Sequence, residues 1–137
     1  MNTLKDTLCY KLLMIFSLIK EVSKNDFQKL GITRENYAML RCVYENPGLT
    51  QAELADTVRK DRNVISKSID KLEEKRYIER VRGKSDRRSF SLYLTESGER
   101  VAQEYWASFL AGEEERLQRL TGEEQKAFFE MLNKLMD

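Results

Sequence analysis

Histidine is absent from the 137 residues, and proline occurs once, at Pro47. Without histidine the chain lacks the commonest metal ligand and the usual acid/base near neutral pH. It has no Gly-rich phosphate loop and no nucleophile elbow, and Cys9, its one candidate nucleophile, has no base assignable to it. These absences predict a protein that is not an enzyme and carries no metal and no cofactor. The two cysteines, Cys9 and Cys42, are too far apart for a CxxC motif and too few for a disulfide scaffold, which points to a reducing cytoplasm. Long hydrophobic runs are missing as well. The longest of concern, Leu12 to Ile19, is flanked by Lys11 and Lys20 and falls well short of the roughly 20 residues that cross a bilayer. No small-residue cleavage site follows it, so it reads as a packed helix with no membrane partner.

Charge is abundant but unevenly placed. The net charge is +1, yet Arg59 to Tyr93 holds twelve Lys/Arg against six Asp/Glu, and Glu96 to Asp137 holds five against ten. A basic middle is therefore joined to an acidic tail, as expected when one segment meets nucleic acid. The length fits a single domain, residues 1–137, with no repeat or linker to divide it.

The expected fold is mainly α with a small β-hairpin, in the order α-α-α-α-β-β-α-α. A first helix from Leu4 to about Lys29 is apolar on nearly every side through its middle, as for a helix enclosed by other helices or by a second subunit. Thr33 caps a second helix that ends at Asn46-Pro47-Gly48. Thr50-Gln51-Ala52-Glu53 reads as a capping box for a short third helix through Val58. After the polar turn Arg59-Lys60, Asp61 caps a fourth helix with Ile65, Ile69 and Leu72 inward, and this pair forms a helix-turn-helix. Ile78 to Arg82 and the alternating Ser89 to Leu94 make a hairpin. Thr95 caps a fifth helix to about Leu120, and Thr121-Gly122-Glu123-Glu124 opens the last.

With Ile65, Ile69 and Leu72 inward, Arg62, Asn63, Ser66, Lys67 and Asp70 fall on the opposite face of the fourth helix. Arg and Lys donate to guanine, Asn pairs with adenine in both directions, and Ser adapts to either, within the width of a major groove. The hairpin tip, Arg82-Gly83-Lys84-Ser85-Asp86-Arg87-Arg88, follows directly. Beside a helix in the major groove, Lys84, Arg87 and Arg88 can reach the adjacent minor groove, whose negative potential favours arginine. Asp86 can hold one of these guanidinium groups in a single orientation. The partner implied is double-stranded DNA.

The stretch Leu49 to Val101 resembles the MarR family of winged-helix transcription regulators, most specifically in Asp86 and Arg88 of the wing followed by Leu94, Thr95 and Gly98. The resemblance covers essentially the whole chain. It implies a winged helix-turn-helix core, residues 33–95, flanked by dimerisation helices in 1–30 and 96–137. It also implies a homodimer on a partly palindromic operator, usually a repressor released by a small ligand or an oxidant. The ligand pocket it implies includes Phe16, Tyr37, Arg41 and Trp106, an arginine beside aromatics suited to a phenolic or aromatic carboxylate effector. Cys9 resembles the reactive cysteine of the hydroperoxide-sensing branch, but Ser23 and Arg34 stand where that branch would place orienting tyrosines. Arg76 stands where the family commonly has glycine, and a left-handed residue there costs arginine about 1 kcal/mol more than glycine. An architectural DNA-coating protein without an effector is the reading from a different class.

Overall fold

The computed structural model describes residues 2–83 and 88–137. After a single 3-10 turn at Leu4–Asp6, the elements are α1 (Leu8–Leu30), α2 (Arg34–Glu45), α3 (Gln51–Val58), α4 (Arg62–Glu74), β1 (Ile78–Arg82), β2 (Phe90–Leu94), α5 (Glu96–Glu104), α6 (Trp106–Leu117) and α7 (Gly122–Met136). The fold is mainly helical with one antiparallel hairpin, as expected, and two boundaries differ. The first helix starts at Leu8 because Thr7 takes the capping position, its hydroxyl accepting from Tyr10 N at 3.2 Å. The expected fifth helix, Thr95 to Leu120, is interrupted at Tyr105 (φ −98°, ψ 4°), whose ring lies 6.2 Å from that of Phe27.

The chain forms two compact units, residues 25–106 and residues 1–24 with 107–137. The first holds every buried apolar side chain among the described residues, including Tyr37, Leu40, Val43, Leu54, Ile65, Ile69, Leu72, Ile78 and Leu92. Truncating one of these leucines or isoleucines to alanine costs about 2–5 kcal/mol. Ile65, Ile69 and Leu72 face inward from α4, as their spacing predicts. Short-range signals set the helix starts: Thr33, Asp61 and Thr121 each accept from a backbone N–H in the first turn. Thr50 also caps, accepting from Glu53 N, but Glu53 Oε1 meets the Thr50 hydroxyl instead of closing a reciprocal box.

β1 pairs with β2 in the register Ile78 with Leu94, Arg80 with Leu92 and Arg82 with Phe90. The far edge of β2 is closed by the loop after α2. Gly48 N donates to Leu92 O, and Leu92 N to Leu49 O, so that edge is not left open. The α4 helix ends in a Schellman turn, with Tyr77 N donating to Leu72 O and Arg76 N to Glu73 O. Arg76 has φ +64°, so this arginine takes the left-handed conformation at the turn. Its carbonyl accepts from both Thr95 Oγ1 (2.6 Å) and Ser97 Oγ (3.0 Å), which ties the turn to the start of α5. Gly98 packs there so closely that an added Cβ would sit 2.0 Å from Tyr77 O.

In the other unit α1 and α6 touch backbone to backbone. A Cβ on Gly112 would lie 2.2 Å from Ile19 O. Most apolar side chains of this unit face outward: Leu8, Leu12, Leu13, Met14, Ile15, Phe16, Leu18 and Val22 on α1, and Phe129, Met131 and Leu135 on α7. Of the two covers expected for this helix, other helices or a second subunit, the helices of its own chain leave its greasy faces exposed. Cys9 is exposed with them.

Candidate nucleic-acid interface

The helix-turn-helix is made by α3, a turn with Arg59 in the left-handed region (φ +52°), and α4. Asp61 starts α4 by accepting from Asn63 N at 2.7 Å, which leaves the first turn of α4 at the surface. Arg62, Asn63 and Lys67 are exposed there and Ser66 is half-buried. No ion pair among the described residues involves Arg62 or Lys67. Arg62 shares a cleft of about 330 Å³ with Thr50, Gln51 and Ala52 at the start of α3, and with Arg88, Ser89 and Phe90 at the start of β2. The structure thereby brings Arg62, one of the recognition-helix candidates, and wing Arg88 to one cleft. Lys84, Asp86 and Arg87 lie outside the described residues.

Asp70 is exposed on the outer face of α4, as its spacing predicts. Its carboxylate pairs with Arg80 of β1 (Nη1 to Oδ1, 2.6 Å), a residue the sequence reading did not single out. Arg80 also donates through Nη1 to Glu73 Oε1 (3.2 Å), through Nε to Gln51 Oε1 (3.0 Å) and through Nη2 to the Ser66 carbonyl (3.0 Å). The available signal was strand alternation. Arg80 shares a face with Ile78 and lies opposite buried Leu92, a place where a charged side chain needs partners.

Of the effector-pocket candidates, Tyr37, Arg41 and Trp106 come together in one unit. Tyr37 is fully buried, and its hydroxyl donates to Ala102 O at 2.6 Å. Burial pushes its pKa up to about 12 against the opposing pull of the Arg41 charge. Arg41 donates to the same carbonyl (3.1 Å) and to Glu45 (3.1 Å), with its guanidinium 4.1 Å from the Trp106 ring centre. Phe16 belongs to the other unit, where it is half-exposed with Lys20 Nζ 5.3 Å from its ring centre. Ser23 and Arg34, at the places compared with orienting tyrosines, are both buried. Cys42 is half-buried, which raises its thiol pKa, and Glu45 adds to the effect.

Among the described residues no cluster of acidic or cysteine side chains could hold a metal ion. A family model described as MarR family matches residues 30–89. The regulator BilQ of Clostridium symbiosum is 34% identical over 112 residues, covering 82% of this chain and 78% of that one. An uncharacterised regulator of Bacillus subtilis, YybA, is 33% identical over 88 residues, and the match spans only 59% of its length. Among solved structures, the Staphylococcus aureus MepR–DNA complex superposes with a TM-score of 0.86 at 26% identity, over 95% of this chain and 96% of that one. From its winged helix-turn-helix, its wing motif and this likeness along most of its length, the chain belongs to the MarR family of DNA-binding transcription regulators.

Proposed function

We propose that this regulator is a homodimeric repressor that binds a partly palindromic operator. Its DNA-reading residues are Arg62, Asn63, Ser66 and Lys67 of α4 in the major groove and Arg88 in the minor groove. Lys84, Asp86 and Arg87 are assigned to the same wing from sequence alone. The observation that carries this reading is the cleft that exposed Arg62 of α4 shares with Arg88 of the wing. Within the chain, residues 33–95 form the DNA-binding core, and 1–30 with 96–137 supply the dimer contacts. The exposed apolar faces of α1 and α7 support a second copy as their cover, because they exceed what a monomer leaves bare. A cytoplasmic location fits the free Cys9 and Cys42 and the absence, among the described residues, of any helix long and apolar enough to cross a membrane.

Release by a small aromatic or phenolic carboxylate would work through Arg41, whose guanidinium lies over Trp106 and Tyr44. Such an anion would compete with Glu45. The exposure of Cys9 favours a second mode, release by oxidant. Selection of bound duplexes from a random pool, followed by footprinting, tests the main reading. Two protected half-sites about 10 bp apart centre to centre are expected. Protection of one half-site, or no preference beyond salt-dependent background, would remove it. Light scattering that finds a folded monomer at micromolar concentration would remove the dimer.

A further inference from the structure

Three N–H donors of the Arg80 guanidinium are hydrogen-bonded, Nη1 also pairs with the Asp70 carboxylate, and each of three elements supplies part of the contact. Gln51 opens α3, Ser66, Asp70 and Glu73 line one side of α4, and Arg80 itself rises from the first strand of the wing. The side chain is 14% exposed, so its stem is packed and its head is held. The partners stand 7, 10, 14 and 29 residues away in sequence, so no local turn would create this junction.

We propose that Arg80 is a positioning residue for operator recognition. It fixes the wing against the recognition helix, so that the side chains entering the two grooves are held in register. This rests on the reading that α4 and the wing both meet DNA. A guanidinium suits the role because its planar fork offers bonds in fixed directions, whereas a lysine ammonium is a point charge on a flexible stem. Losing the register should therefore reduce discrimination between operator and other DNA while leaving general attraction to phosphate in place, since the charge itself points inward.

The test uses the full-length protein, the operator recovered by selection, and a scrambled duplex of equal length. Arg80→Lys keeps the charge and loses the fork. It should weaken operator binding about tenfold and change binding to scrambled DNA less than twofold. A cycle with Arg88→Ala supplies a readout that a merely structural role would not move. The loss caused by Arg88→Ala should be at least about threefold smaller in the Arg80→Lys background than in the parent, because a displaced wing no longer delivers Arg88. Gln51→Ala removes one arm from an accessible position on α3, and should show the same pattern at about threefold should Arg80→Lys fail to fold. Equal weakening on both duplexes, an unchanged operator affinity in a folded variant, or an Arg88→Ala loss that is the same in both backgrounds would each overturn the proposal. A parent that prefers no sequence removes the DNA-reading assignment and this proposal together, whereas a specific parent with an indifferent Arg80→Lys removes this proposal alone.

Discussion

Gly98→Ala sets two rules against each other, and the geometry decides between them. Gly98 lies in the first turn of α5, where helix propensity alone favours alanine by about 1 kcal/mol. The added methyl would sit 2.0 Å from the Tyr77 carbonyl oxygen, 2.9 Å from its carbon and 3.2 Å from its Cα, all of them backbone atoms. No side-chain rotation relieves that contact, so α5 or the turn after α4 must move by about an ångström. Overpacking of this kind costs about 1–3 kcal/mol. The same carbonyl accepts from Thr95 N at 3.1 Å, and disturbing that bond adds about 1 kcal/mol. The net expectation is a loss of about 1–3 kcal/mol, read as a lower denaturant midpoint at unchanged slope. Gly122→Ala is the matched control. It opens α7 with no atom within 4 Å of the new Cβ, so the same substitution should be neutral or gain up to about 1 kcal/mol. A Gly98→Ala protein as stable as the parent would show that the close approach at Tyr77 is relieved at no cost, and the reasoning would fail.

Arg76→Gly should stabilise the protein by about 1 kcal/mol, because φ +64° strains arginine but not glycine; a lower midpoint would mean the arginine side chain contributes more than the backbone loses. The folded chain holds the Tyr37 proton more tightly than the unfolded chain, whose phenol titrates near 10, so this contribution is complete below about pH 10 and declines as pH rises through about 12. Tyr37→Phe should cost about 1 kcal/mol at neutral pH and remove that alkaline decline, so the stability gap between the two proteins should narrow between pH 8 and pH 11; a constant gap would contradict the raised pKa. Arg88→Ala should weaken operator binding by about 1–3 kcal/mol in a direct titration, and an unchanged affinity would take Arg88 out of the contact.

Most of the fold was legible because its signals are local. Thr33, Asp61 and Thr121 sit within three residues of the N–H groups they cap, and Ile65, Ile69 and Leu72 repeat on one helical face. The interruption at Tyr105 was not, since helical periodicity runs through it without a glycine or proline to mark a stop. The candidate site divided the same way. Arg62, Asn63 and Lys67 follow from the helix period alone. Arg80 needed the tertiary fold, because its partners gather from two other elements, and the pairing of outward-facing Asp70 with it was hidden for the same reason. Exposure of Cys9 was hidden for a related reason: the pattern of α1 reports that its faces are apolar, not which molecule covers them.

The Arg80 junction also changes how the protein's charge meets an ion atmosphere. The stretch from Arg59 to Tyr93 carries an excess of six positive charges, but Arg80 is already neutralised by carboxylates within 3.2 Å. A cation spoken for in this way displaces no counterion from a duplex. The slope of log affinity against log salt, about −0.9 for each phosphate neutralised on duplex DNA, should therefore leave Arg80 out of the count. Asp70 gains from the same bond. A bare carboxylate on that helix would repel the phosphate backbone, and its pairing with Arg80 lets an acidic residue remain beside a polyanion without weakening the approach.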